Sequence, residues 1–336
     1  MRGRSRRAAG ALAALLVSAL AMRVVVGGHG QLGQAAQLVS HPLLGWVSVA
    51  VVCELLSYVA YAAGQRRLLN AVGRPLSLRW LASLSVAAQC LSNFLPAGYV
   101  LANLLNFREL RRRELKSSET AWVLLMSSLL YVGALGVLAI AGSQIAGSRD
   151  GPAVADLRLA ACAALALALL CGVAALLLAR RGQLERLLGQ RGGRLGARLS
   201  RMKLTRRDVT ASSGFFLGGW AADAACLAAT FYAVGGTPPW GVFLMGYCAA
   251  QLVSFLPITP GGLGLVEGSL ALTLAAGGVA GRHVLAAVLL YRLISYWGTL
   301  PAGALGYLAV RRNGARLAEP LPEAAPLELA GAAPAP

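Results

Sequence analysis

Along the chain, long apolar blocks alternate with short basic ones, and the length of each block is the first thing that predicts structure. A helix rises 1.5 Å per residue, so about 20 apolar residues cross the hydrocarbon of a bilayer. Six blocks meet that length without a break: 8–26, 43–64, 120–146, 157–179, 210–235 and 283–309. Each predicts a full span. Two further blocks, 78–107 and 239–281, are cut near their middles by "FLPAG" and "FLPITPGGLG". Proline and glycine there break the helical ladder, so each predicts a helical hairpin that enters and leaves on one side. The expected fold is all-α, a polytopic integral membrane protein with about six full spans plus two re-entrant helical hairpins.

Composition narrows the class. With 57% hydrophobic and 13% charged residues, the chain lies outside the range of soluble domains. MRGRSRR followed by AAGALAALLVSALA has the layout of an export signal. No A-x-A site precedes a polar mature region and more spans follow, so a retained first helix is expected. The net charge of +18 does not point to nucleic acid, because the basic residues sit between the spans instead of on a soluble face. Arg-rich loops of this kind mark the cytoplasmic side. The six cysteines, Cys53, Cys90, Cys162, Cys171, Cys226 and Cys248, all fall in apolar segments without C-x-x-C spacing, which favours small packing residues over a disulfide framework or a metal site.

An internal repeat organises the rest. At a constant offset of 162, Ala71-Val72-Gly73 falls on Ala233-Val234-Gly235, Ala87-Ala88-Gln89 on Ala249-Ala250-Gln251, and Ser92 on Ser254. After a one-residue gap Phe94-Leu95-Pro96 falls on Phe255-Leu256-Pro257. If both interrupted blocks are hairpins, 26 of the 31 Lys and Arg residues lie on one side; if 78–107 crossed fully, the run FRELRRRELK would face outward, against the positive-inside rule. The two copies are therefore expected to be inverted, an arrangement many transporters use for alternating access. The predicted layout is a basic cytoplasmic N-terminus at 1–7, a first half at 8–146, a span and basic cytoplasmic linker at 147–209, a second half at 210–312 and a disordered tail at 313–336. Both termini are expected in the cytoplasm, in a bacterial cell membrane.

Candidate chemistry clusters at the interruptions. Thr259 and Pro260 suit the N-cap and first position of a returning helix, and Gly261, Gly262 and Gly264 allow close approach of backbone. An exposed helix N-terminus there would attract a phosphate or carboxylate, while tight helix packing through Gly261, Gly264 and Gly268 is the plainer reading. Glu267, about two turns along that leg, needs a partner at membrane depth, and Arg292 in the last span is the natural one. Ser295, Tyr296 and Thr299 share its helical face. The pair either lines a headgroup cavity or pins the hairpin. Glu54 and Asp223, one in each span preceding a hairpin, suit proton coupling or hairpin anchoring. The tip residues Pro96, Pro257, Pro260, Gln89, Gln251, Asn93 and Ser254 serve the broken backbone or a substrate. His29, His41 and His283 are isolated, and no run of clustered acids suggests a metal, so neither a catalytic residue nor a cofactor is expected.

The stretches FLPITPGGLGLVEGSL and LAAVLLYRLISYWGTLPAGALGYL resemble the membrane region of lysylphosphatidylglycerol synthase/flippase proteins and their stand-alone flippase-like relatives, over about residues 8 to 312. The P-x-x-P-G-G-x-G-x-x-E signature at 257–267 and Y-R-L-I-S at 291–295 carry it. The resemblance implies a fold with two re-entrant hairpins that moves anionic or aminoacylated phospholipid between leaflets. Only a short tail follows the membrane region, so synthase activity is not expected, and FLPAGYVLANLLNFRELRRRE lacks the glycine and acid that many relatives have after the first proline. A non-transporting partner of an envelope lipid or glycan enzyme is the alternative, with a lipid-modifying enzyme third. A homo-oligomer or such an enzyme are the protein partners left open.

Overall fold

The computed structural model describes residues 29–95, 98–146, 205–255, 260–276 and 278–318. The expected spans at 8–26 and 157–179, nearly all of the basic linker, the tail beyond 318, and Pro96, Pro257, Thr259, Cys162 and Cys171 lie outside those residues. Among the described residues every regular element is a helix. In chain order they are α1 (His29–Ser40), α2 (Leu44–Ala71), α3 (Leu78–Phe94), α4 (Gly98–Arg112), α5 (Ser117–Ala146), α6 (Arg206–Ala233), α7 (Trp240–Ser254), a 3₁₀ turn (Pro260–Gly262), α8 (Leu265–Ala276), α9 (Gly281–Arg292), a π segment (Leu293–Trp297) and α10 (Thr299–Ala318).

Four stretches are long and apolar enough to cross a membrane: Leu44–Ala71, Ser117–Ile145, Arg206–Ala233 and Gly281–Arg312. They coincide with four of the six expected spans. Large apolar side chains cover their outer faces, with Leu44 74% and Leu305 68% exposed, a surface suited to acyl chains and costly in water. The protein is a multi-pass membrane protein. The interrupted blocks form helix pairs, α3 with α4 and α7 with α8, each pair packed together and neither leg long enough to span.

The aligned segments at 71–73 and 233–235 end their helices in the same way. α2 ends at Ala71 and α6 at Ala233, and the glycine two residues on takes left-handed φ in both, +74° at Gly73 and +72° at Gly235. In each, the N–H after or beside that glycine closes a six-residue loop, Arg74 to the Leu69 carbonyl at 3.0 Å and Gly236 to the Phe231 carbonyl at 2.9 Å. This is a Schellman ending, which requires a residue that tolerates positive φ. Ser77 then caps α3, its hydroxyl oxygen accepting from the Trp80 N–H, whereas Pro239, just before α7, makes no side-chain cap bond.

Packing between the halves has a direction. Leu43 N–H reaches the Ala233 carbonyl, Trp46 stacks on Tyr232, Gly219 approaches the Ser57 carbonyl, and Ser212 Oγ donates to the Gly64 carbonyl. Residue numbers rise along α2 as they fall along α6, so the two corresponding helices run antiparallel. Small residues make this possible: Phe216 lies across Gly64, where a Cβ would collide with its ring. The hairpins exchange partners. α3 packs against α10 of the second half, through Gly303 on Cys90 and Gly306 on the Ser83 carbonyl, and α7 packs against α5 of the first, through Gly142 on Leu244.

The Gly306 contact is against backbone, which cannot move aside as a side-chain tip can. Gly306→Val is expected to cost about 1–3 kcal/mol by overpacking, whereas Gly133→Ala, which meets open space, leaves stability unchanged. Thermal melting in detergent checks this; equal midpoints for the two variants would contradict the α3–α10 packing.

Candidate functional site: a polar cavity between the two halves

Antiparallel register brings Glu54 of α2 beside Asp223 of α6, two turns from where sequence equivalence would pair them. Around the acids lies a cavity of about 170 Å³ to which every hairpin leg contributes. Asp223 is held from three sides. Tyr247 of α7 donates to its Oδ2 at 2.6 Å, Gln251 one turn later donates to the same oxygen at 2.9 Å, and Tyr291 of α9 donates to Oδ1 at 2.9 Å. Gln251 also donates to the Tyr291 hydroxyl at 3.1 Å. Glu54 is 6% exposed and receives one donor, Tyr58 at 2.6 Å on its Oε1.

The second hairpin tip is a run of glycines in left-handed conformation, with φ of +56° at Gly261, +67° at Gly262 and +82° at Gly264. Any other residue would be strained at these φ values, and a Cβ at Gly261 would also strike the Tyr296 ring and Asn93 backbone. This corrects the expectation that Pro260 starts the returning helix. Pro260 begins a single 3₁₀ turn, and α8 starts at Leu265, because three left-handed glycines within four residues interrupt the right-handed helix. Glu267 consequently stands in the first turn, not two turns in. Its Oε2 accepts the Gly264 N–H at 2.6 Å, half of a capping box, and its charge complements the helix N-terminus.

Glu267 Oε1 accepts from Arg292 Nε, and Arg292 Nη2 donates to the Gly261 carbonyl at 3.1 Å. The guanidinium lies over the Tyr296 ring, 5.1 Å from its centre. Both side chains of the ion pair are about nine-tenths buried. The expected straight polar stripe after Arg292 is not observed. A π segment intervenes, closed by Gly298 N–H on the Leu293 carbonyl at 2.9 Å, and rotates the following residues. Ser295 stays on the cavity, while Tyr296 turns inward and donates to the Asn93 carbonyl at 3.0 Å. That carbonyl is one of the last of α3, and the bond from the π segment satisfies it. Asn93 Nδ2 donates to Thr299 Oγ1 at 3.2 Å, and Gln89 donates to Asn93 Oδ1 at 3.1 Å.

The residues singled out in the sequence thus divide. Glu54, Asp223, Gln89, Asn93, Gln251, Ser254, Gly261, Arg292 and Ser295 line one cavity. Glu267, Gly262, Gly264 and Tyr296 stand behind them as braces. Sequence reading missed the tyrosines Tyr58, Tyr247 and Tyr291, which donate to the two acids, and the α4 residues Asn103 and Asn106, which line the cavity. A signal existed: Tyr58 stands one helical turn after Glu54, and Tyr99, Asn103 and Asn106 recur at helical spacing in an apolar leg. Among the described residues no three His, Cys, Asp or Glu side chains are grouped to hold a metal.

These features place the chain in a class, a helical membrane protein with a polar cavity between two packed halves. The family model for the lysylphosphatidylglycerol synthase TM region matches residues 11–303, and the chain belongs to that family. It is similar to a UPF0104 membrane protein of Methanothermobacter thermautotrophicus, 44% identical over 85 residues, which are 25% of this chain and 24% of the relative. A UPF0104 membrane protein of Methanocaldococcus jannaschii is 38% identical over 65 residues, 19% of this chain and 28% of the relative. The matched segments span about a quarter of the length of these relatives.

Breaking a buried ion pair from one side leaves an uncompensated charge, at a cost of about 3 kcal/mol or more. Glu267→Ala is expected to lower stability by that order. Glu267→Ala combined with Arg292→Met is expected to recover more than half of the loss. A double-mutant cycle on thermal unfolding reads the coupling; additive losses would mean the two side chains do not pair in the folded protein.

Proposed function

We propose that the protein moves an anionic or aminoacylated phospholipid headgroup between leaflets, with the cavity as the headgroup's path and the two broken helix pairs as re-entrant hairpins of an inverted repeat. The observation that carries this reading is Arg292. Its guanidinium reaches a polar cavity fed by both halves, while Glu267, the Gly261 carbonyl and the Tyr296 ring fix its position. A guanidinium so held offers planar, directed donors to a phosphate, and its own charge is already balanced by Glu267, so it can stand at membrane depth between arrivals. Polar amide and hydroxyl groups from Gln89, Asn103, Asn106 and Ser254 supply exchangeable hydrogen bonds along the wall. A cavity of about 170 Å³ is too small to enclose acyl chains, so those chains stay in the surrounding hydrocarbon.

Three observations support the inverted arrangement. Corresponding helices α2 and α6 run antiparallel, their ends carry the same caps, and each hairpin's first leg packs on the other half's last span. Exchanging the conformations of the halves would open the cavity first to one side and then to the other. The basic residues Arg108, Arg111, Arg112, Arg113 and Lys116, at the foot of the first hairpin, support a cytoplasmic position for that foot and, with it, for both termini.

In vesicles containing fluorescent anionic phospholipid, the wild type is expected to speed leaflet exchange, and Arg292→Ala to slow it roughly tenfold or more, about 1.4 kcal/mol of barrier. Arg292→Lys should restore little, because a point charge cannot replace the planar fork. Exchange by Arg292→Ala at the wild-type rate would reject the site. Separately, cysteines placed at 108–116 are expected to react with impermeant reagents from the cytoplasmic face; reaction from the outer face would overturn the hairpin and the inversion with it.

A further inference from the structure

One feature of the cavity has no part in holding a headgroup. Four carboxylate oxygens meet where α2 crosses α6, and three of them are occupied. Glu54 Oε1 accepts from Tyr58, Asp223 Oδ1 from Tyr291, and Asp223 Oδ2 from both Tyr247 and Gln251. The fourth, Glu54 Oε2, is buried and has no hydrogen-bond partner among the described residues, although it lies beside Asp223 on the cavity wall. A buried carboxylate oxygen left without a donor is costly, and it faces a second carboxylate.

The nearby charges do not relieve it. Among the described residues the one cation within reach, Arg292 of α9, is committed to Glu267 and the Gly261 carbonyl. The other titratable groups around Glu54 are neutral donors: Cys53 and Tyr58 on α2, Tyr131 on α5, Cys226 on α6, Tyr247 on α7 and Tyr291 on α9. α3 brings only neutral polar groups, Ser85, Gln89, Ser92 and Asn93, to the same wall, and α4 adds Tyr99, Asn103 and Asn106. A metal ion would need several oxygen ligands at once, and the occupied three are turned toward donors. One proton satisfies everything that is left over.

We propose that Glu54 and Asp223 hold one exchangeable proton between them, carried on Glu54 Oε2 and donated toward Asp223, as a proton-binding site that opens with the cavity. Asp223, with three donors fixed on it, remains the anion, and Glu54 is the acid. When the cavity opens, the O–H bond of Glu54 breaks, its proton passes to an entering water, and the carboxylate left behind is hydrated; closing the cavity excludes that water and takes a proton back. Resting on the translocation reading, this site makes opening toward one side depend on the proton activity there, so a pH difference across the membrane drives headgroup movement. The donor cage comes from α2, α7 and α9, elements of both halves, so the proton reports on their packing.

Infrared spectroscopy of the protein in nanodiscs at pH 7 tests the site without transport. The wild type is expected to show the carbonyl stretch of a protonated carboxylic acid, Glu54→Gln to lose it, and Tyr58→Phe to keep it at a shifted frequency, because Oε1 loses its donor. Tyr58→Phe decides the matter if Glu54→Gln does not fold. Absence of the band in the wild type, its survival in Glu54→Gln, an unshifted band in Tyr58→Phe, or its loss when sodium chloride replaces choline chloride would overturn the proposal, the last in favour of a cation. In vesicles, wild-type lipid exchange should respond to a pH gradient and Glu54→Gln exchange should not. A wild type that shows the band and moves no lipid overturns the translocation reading alone, while wild-type exchange indifferent to the gradient overturns the coupling.

Discussion

Hydrocarbon offers no hydrogen bonds, and that constraint governs the whole molecule. Every helix that stops at membrane depth leaves carbonyls or N–H groups that water cannot reach. Among the described residues, two such ends are answered by side chains. The end of α3 is closed by Tyr296, which follows Arg292, and the start of α8 is closed by the side chain of Glu267, which Arg292 then neutralises. The two interruptions are not separate defects. They are one polar junction, shared between the first hairpin, the second hairpin and the last span, and its stability depends on the three being packed together.

The junction explains the oddities of the last span. An ordinary helix through Arg292 would put Ser295, Tyr296 and Thr299 on one stripe facing the cavity. The π segment instead sends Tyr296 into the protein, where it carries the guanidinium on its ring and closes α3 with its hydroxyl, and leaves Ser295 on the wall. Extra-residue turns of this kind are common at functional sites, and here the gain is that one helix serves both the cavity and the broken end of its neighbour.

Much of this was legible in the residues. The spans at 43–64, 120–146, 210–235 and 283–309 follow from run length alone, since a helix of that apolarity has no other low-energy place to be. The alignment at an offset of 162 put Gly73 on Gly235, and the two glycines take the same left-handed conformation. The pairing of Glu267 with Arg292 was readable because an isolated charge at that depth demands an opposite one. The glycine run misled in one respect: Thr259-Pro260 has the chemistry of a helix start, and local propensity gave way to three positive-φ glycines that the contact with Asn93 and Tyr296 requires.

Sequence by itself, then, determined the class of protein, the places where helices break and the residues too polar for their surroundings, because each of these is a local cost that the chain shows wherever it folds. Tertiary structure alone decided which polar groups meet. Glu54 and Asp223 occupy inequivalent positions of the two copies and come together only because α2 and α6 cross antiparallel, with Gly64 and Gly219 setting how closely. The tyrosines that surround them arrive from three helices far apart in the chain. Partner choice depends on register and crossing between distant segments, and those are fixed by packing that no single stretch of residues contains.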